Sequence, residues 1–396
     1  YGSQSTLNFG QNPSFSGTVT AGTYTDSNGK GLFKYQPPAG YLALCEDNLP
    51  TPAIKNPGEH FKTVLYTGDN NNGRSIEGVG FKPDLVWIKD RTRNERNILA
   101  DSVRGNGNIL TTIDDRVEDT GRFDMISNFD SDGFTVGNAG PANFGTDNFV
   151  AWCWKAGGPA VTNNDGTITS QVSVNQDAGF SIVSYTGDGS TSETTVGHGL
   201  NTSPKFTIIK ARDTASFDSA ANDWWVYTGV DATQWRARLN LTNAAFQNSN
   251  DTGLSNQQNS GRLTFIANGP FRESGVRYIA YTWAEIEGFS KFGSYVGNDS
   301  TDGPFVYCGF KPAFVMLKST GSGNWCMIDN ARNPTNPTNF FTVANASNIG
   351  DDTGGALDFL SNGFKLRLQS PNFNGNGVTY IFAAFAESPF TTANAK

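Results

Sequence analysis

Histidine is nearly missing from this chain: two residues in 396, His60 and His198. Neither has a second histidine or a carboxylate at ligand-like spacing, so a zinc centre or a histidine-based acid–base site has little to be built from. Cysteine is scarce as well. Cys45, Cys153, Cys308 and Cys326 form no CxxC pair and read as small buried hydrophobes, with a Cys308–Cys326 disulfide or a metal role as the alternatives. Charge is lean at 17%, and 29 Lys+Arg against 37 Asp+Glu leave a net charge of -8. That balance lacks the basic face of a nucleic-acid binder and the polybasic patch of a membrane-surface protein. No apolar run approaches the ~18 residues of a membrane-spanning helix, so no membrane insertion is expected. No GxSxG nucleophile turn occurs. Neither a basic n-region nor an apolar h-region follows Tyr1, so no signal peptide is visible, and the missing Met is what a processed product or part of a longer chain would show. Helical periodicity nowhere persists beyond about three turns.

Glycine, phenylalanine and tryptophan are plentiful (45, 29 and 8 residues), and they recur in a pattern. Phe61-Lys-Thr-Val-Leu-Tyr-Thr-Gly68, Phe180-Ser-Ile-Val-Ser-Tyr-Thr-Gly187 and Ser290-Lys-Phe-Gly-Ser-Tyr-Val-Gly297 each carry Tyr-x-Gly, at Tyr66, Tyr185 and Tyr295. At one constant distance follow Gly80, Gly199 and Gly309. Next come three apolar runs closed by lysine, Leu85 to Lys89, Phe206 to Lys210 and Phe314 to Lys318, where the charge is expected to reach solvent. Asp132-Gly133, Asn268-Gly269 and Asn362-Gly363 are expected to supply the positive φ of tight hairpin turns. Aromatic strands close each copy: Phe149 to Trp154, Tyr278 to Trp283 and Tyr380 to Phe385. A pitch of roughly 110–120 residues is far above that of a solenoid, so each copy is expected to be a domain with its own core, strung like beads.

Short Val-, Ile-, Phe-, Tyr-, Trp- and Thr-rich segments bounded by Gly, Asn, Asp and Pro predict an all-β chain of tandem β-sandwiches. An unbroken apolar run such as Leu85 to Ile88 suits a strand covered on both faces. The expected domains are 59–158, 159–288 and 289–396. Segment 1–58, with Asn8-Phe-Gly-Gln11 and Gly31 to Leu44, reads as the last strands of another β domain, to be completed by upstream chain or a neighbouring subunit.

Phe33-Lys-Tyr-Gln-Pro-Pro-Ala-Gly-Tyr-Leu-Ala-Leu-Cys-Glu-Asp-Asn-Leu-Pro50 resembles the end of the SPRY-like (concanavalin-type) domains of marine tailed-phage structural proteins. The repeats resemble an uncharacterised domain found after such ends in phages of cyanobacteria and other marine bacteria. Its strings include Gly-Phe-Lys-Pro-Asp-Leu-Val-Trp-Ile-Lys and Ala-Trp-Cys-Trp-Lys-Ala-Gly-Gly, which stand here at Gly80–Lys89 and Ala151–Gly158. The second and third copies drift, with His198-Gly-Leu200 in place of Gly-Phe-Lys and Asp-x-x-Arg missing from the second. The resemblance implies jelly-roll or concanavalin-like sandwiches and a non-enzymatic virion protein: a tail fibre or surface appendage contacting the host, or a capsid decoration. It implies homo-oligomers, commonly trimers, contacts with other virion proteins, and neither cofactor nor catalytic residues.

Among the residues themselves, Asn128-Phe-Asp-Ser-Asp132 has the carboxylates of a calcium loop, but its counterparts lack them, and a turn accounts for all three. Asp101 with Arg104, recurring as Asp329 with Arg332, reads as a catalytic acid with an electrostatic partner or as an ion pair fixing a strand end. Trp224, Trp225, Trp235 and Trp325 lie in or beside polar stretches. They read as stacking faces for a host-surface glycan, the basis of a rival reading as carbohydrate-binding modules, or as core fillers.

Overall fold

The computed structural model describes residues 14, 22–49, 51–229, 234–247, 253–255, 259–267 and 269–393. Asn8 to Gln11 and Asn268 lie outside the described residues. Two compact units result, Tyr1–Pro52 and Ala53–Lys396.

In the first unit the described residues carry no regular strand, only a bridge between Tyr24 and Phe33 and a 3-10 turn over Glu46–Asn48. The organising group is Asp26. Its carboxylate accepts from the backbone N–H of Asn28, Lys30 and Ala43 and from the Asn48 amide. Burial opposes ionisation, but these donors outweigh it and hold the group down to about 2.

The second unit is all-β, and one arrangement recurs in it three times. In the first segment the strands are β1 (Phe61–Thr67), β2 (Arg74–Glu77), β3 (Leu85–Asp90), β4 (Ile98–Asp101), β5 (Ile126–Asp130), β6 (Gly133–Val136) and β7 (Asn148–Trp154). In the second they are β8 (Val161–Asn163), β9 (Ser170–Asn175), β10 (Phe180–Thr186), β11 (Thr194–Gly197), β12 (Phe206–Ala211), β13 (Trp225–Thr228), β14 (Trp235–Arg238), β15 (Arg262–Phe265) and β16 (Arg277–Trp283). In the third they are β17 (Ser290–Val296), β18 (Phe305–Tyr307), β19 (Phe310–Ser319), β20 (Trp325–Asp329), β21 (Thr338–Val343), β22 (Asp351–Leu360), β23 (Gly363–Leu366) and β24 (Thr379–Pro389). The inner sheet runs β1-β7-β3-β4, then β10-β16-β12-β13, then β17-β24-β19-β20. Register matches too: Phe61, Phe180 and Ser290 lie opposite Trp154, Trp283 and Phe385, which in turn face Leu85, Phe206 and Phe314. A small outer sheet lies over each of the first two, β2-β6-β5 and β11-β15, and in the third segment β21 links β20 to the outer strands β22-β23-β18 in one eight-stranded sheet.

Strand periodicity explains why the inner strands are so apolar. All six residues of β3 and of β12 are buried. Phe149, Ala151 and Cys153 of β7 face the outer sheet, whereas Val150, Trp152 and Trp154 face the other two segments. The inner sheets of the first two segments are thus sandwiched between a private core and a shared one, and the third segment's own core is continuous with the shared one. The equivalent residues Trp154, Trp283 and Phe385 meet as a triangle, with ring centroids 6.2, 6.3 and 5.6 Å apart. Phe61 stacks on Phe385 at 5.3 Å. A cavity of about 20 Å³ sits beside this triangle, lined by Trp87, Trp154, Phe206, Trp283 and Phe385 among others. The expected string of beads is therefore corrected. Three sheets close around one aromatic axis, because a sheet apolar on both faces cannot leave one of them in water.

Candidate functional site

The strongest concentration of placed chemistry is the set of seams between the three segments. Lys89, Lys210 and Lys318 occupy one position at the end of β3, β12 and β19, and all three are fully buried. They were expected to reach solvent, but each crosses a seam instead. Lys89 Nζ donates to the carbonyls of Glu95 and Ser347, both at 2.6 Å. Lys210 Nζ donates to Asp115 at 3.1 Å and Ala211 at 2.8 Å. Lys318 Nζ reaches Gly323 at 2.9 Å, Gly321 at 3.2 Å and Thr242 at 3.5 Å. Burial pushes every one of these ammonium groups down to about 8.

A second set lies one strand over, where Asn97, Trp224 and Trp325 are equivalent residues just before β4, in front of β13 and opening β20. Trp224 Nε1 donates to the Thr111 carbonyl at 2.7 Å, and Trp325 Nε1 to that of Arg238 at 2.9 Å. The Asn97 amide donates to Val343 and Ala344 at 3.1 and 2.8 Å. The acceptors are equivalent as well, since each follows a residue paired with β4, β13 or β20. The sense is always the same: second segment onto first, third onto second, first onto third. Head-to-tail contacts of this kind close into a ring when the rotation allows it.

A third set uses the acidic residues. The Tyr281 hydroxyl donates to Asp101 Oδ2 at 2.7 Å, and Trp152 Nε1, from the same position, to Asp329 Oδ2 at 3.2 Å. Asp101 also binds Arg104, and Asp329 binds Arg332 at 2.6 Å; both pairs are buried. Of the two readings of this motif, the geometry is that of an ion pair fixing a strand end. At the remaining seam the donor position is Ala383 and the acceptor position Thr228. Donor and acceptor have disappeared together, which is nearly neutral, whereas losing one alone leaves a buried group unsatisfied. Glu118 adds a buried carboxylate between the first two segments, bound by Arg104 at 3.0 Å and Arg212 at 2.8 Å.

These positions account for the proposed glycan platform. Trp224 and Trp325 are seam residues with 0% and 1% exposure, and Trp225 is 3% exposed in the second segment's private core, with Nε1 on the Ala220 carbonyl at 3.0 Å. A sugar cannot stack on a ring face already covered by protein, so the platform reading is corrected for all three. Trp235 alone is half-buried, at the rim of a cleft of about 220 Å³ whose walls include Tyr227, Thr228, Lys205 and Gln234. Sequence reasoning missed Asn97 and the lysines. The recurrence of lysine after every buried run was the available signal.

The other candidates have structural partners. Asp132 accepts from the backbone N–H of Gly78 and Gly80, at 3.3 and 2.6 Å, and Asp130 from Thr135 Oγ1. Among the described residues no cluster of three or more His, Cys, Asp or Glu is placed to hold a metal. All four cysteines are free, three of them buried. His198 is buried with Nδ1 accepting from Leu200 N–H, and burial takes it down to about 4.

One family model, a domain of unknown function (DUF7483), matches residues 56–389. The chain belongs to this family. The DUF7483 match takes in the whole ring and not one segment of it, in line with seams that make the three segments a single body. No curated protein and no solved structure matches the chain.

Proposed function

We propose that this chain is a non-enzymatic structural module of a tailed-phage particle, carried on a tail fibre or another surface appendage. The observation that carries the reading is the use made of the recurring polar positions. Lysine, tryptophan and aspartate at these positions are spent fastening one segment to the next, which suits a part that must hold its shape outside a cell. The motif strings that resemble marine phage proteins supply the particle. Purified virions, analysed by mass spectrometry and by electron microscopy with an antibody to Ala53–Lys396, are expected to contain the chain at the end of an appendage. Labelling of the capsid would make it a decoration protein instead, and absence from particles would end the phage reading.

A second reading rests on the cleft beside Trp235. It offers one half-buried indole next to hydroxyl, amide and ammonium donors, the composition of a small sugar site. A glycan array probed with the protein and with Trp235→Ala tests it: signals that the substitution removes support the site, and an array at background for both removes it.

A further inference from the structure

We propose that β18 is a self-pairing edge through which two copies of this chain join their outer sheets. β2, β11 and β18 are the same strand in the three segments, since Ile76, Val196 and Val306 are buried opposite Phe134, Leu263 and Phe364. The fold therefore makes the same demands on their outward residues. Those residues are Ser75 and Glu77 in the first segment, Thr195 and Gly197 in the second, and Phe305 and Tyr307 in the third. Phe305 is 45% exposed and Tyr307 61%. Two aromatics stand in solvent where the other copies show that the sandwich needs none.

The backbone beneath them is open as well. Leu366 N–H donates to the Pro304 carbonyl at 3.1 Å and Cys308 N–H to that of Asn362 at 2.9 Å, so alternate residues of this strand spend their polar groups on β23. The N–H and C=O of Phe305 and Tyr307 point the other way, and among the described residues they have no partner. In the second segment the same groups are filled. Ile168 N–H donates to the Thr195 carbonyl at 2.9 Å, Thr195 N–H to Thr167 Oγ1 at 2.8 Å, and Ser170 Oγ to the Gly197 carbonyl at 2.9 Å. There an extended piece of the chain itself adds to the edge, bridging Ile168 to Val196. The first segment keeps its edge open but charges it with Arg74 and Glu77, a common guard against strand addition. Of these three equivalent edges, among the described residues, β18 alone is open, with two exposed aromatics and no charged residue in the strand.

A second copy is the occupant that fits. With a two-fold axis at Val306, antiparallel pairing sets Phe305 opposite Tyr307 of the other copy, twice, and the outward N–H and C=O groups satisfy each other. This chain already packs directly opposed aromatics in its own antiparallel pairs: Tyr66 on Phe149 at 5.0 Å, Tyr185 on Tyr278 at 5.2 Å, Tyr295 on Tyr380 at 5.2 Å. The new pair repeats that arrangement between molecules. The inference holds whatever particle carries the chain.

Sedimentation velocity across a range of concentrations tests it, together with hydrogen exchange of the Phe305 and Tyr307 amides. The mass is expected to double as concentration rises, and the two amides to become protected in parallel. The double variant Phe305→Ser, Tyr307→Glu installs the first segment's residues and is expected to weaken association at least tenfold with the fold unchanged by circular dichroism. A wild-type protein that stays monomeric with both amides unprotected overturns the proposal, as does a dimer whose amides exchange as in the monomer. The exchange measurement needs no variant, so the test survives a substitution that fails to fold.

Discussion

At the scale of single residues, the buried lysines have the clearest consequence. An ammonium held only by carbonyls is costly in the folded state, so its pKa falls to about 8 from an ordinary 10.5. Above pH 8 the folded form gives up these protons while the unfolded chain keeps them, so the lysine contribution to stability rises with pH until the unfolded lysines also titrate. Between pH 8 and 9 the gain is roughly 1 kcal/mol per lysine. Buried thiols work against it, since Cys153 and Cys308 are pushed upward by burial and unfolded thiols ionise in the same range. Comparing urea midpoints of wild type and Lys210→Met at pH 8 and 9 isolates the effect, because the thiols are common to both. The variant is expected to lack one lysine's share of the rise, and equal slopes would show that Lys210 is not depressed. Glycine shows a different residue-scale lesson. Gly133 and Gly363 were expected to supply positive φ, and Gly133 has one, at 158, whereas Gly363 is not among the positive-φ glycines. A Cβ on either would come within 1.9 Å of Ile76 O or 2.0 Å of Val306 O, so close approach of the neighbouring strand is what demands glycine here. In the second segment the strand pairing puts the counterpart of these turns near Gly261-Arg262, not at Asn268-Gly269.

At the scale of elements, the inner strands serve two cores and the seam residues join neighbouring sheets. Trp224→Phe removes the bond to Thr111 together with part of the ring, so it is expected to cost about 1–3 kcal/mol, against about 3–5 kcal/mol for Trp224→Ala. Tyr281→Phe deprives the buried Asp101 carboxylate of a donor and is expected to cost about 1–3 kcal/mol. Guanidinium chloride denaturation with tryptophan fluorescence measures all three. A Trp224→Phe protein as stable as wild type would mean that the seam bond contributes nothing net. The strands themselves were legible in the sequence. Leu85 to Ile88 announced a strand covered on both faces, and the constant Tyr-to-Gly spacing announced a recurring unit. The seams were not legible, because an indole reads alike whether it faces water or a neighbouring sheet.

At the scale of the molecule, the shared axis ties the three segments into one cooperative body. Thermal unfolding of Ala53–Lys396 is expected to show one transition, with calorimetric and van't Hoff enthalpies in agreement. Three separate transitions would restore the beads. The aromatic triangle argues against them, since removing any one sheet exposes Trp154, Trp283 or Phe385 to water.

The sequence by itself determined the all-β class and pointed to the threefold recurrence of motifs, because these follow from local periodicity, turn residues and spacing. What only the tertiary structure decided is where the second apolar face of each inner sheet goes and what the recurring lysines and tryptophans touch. Those are contacts between residues far apart in the chain, from 76 positions between Lys318 and Thr242 to 258 between Lys89 and Ser347. Their partners are largely backbone carbonyls, which every residue carries, so side-chain identity leaves no trace of the bond until the sheets are brought together.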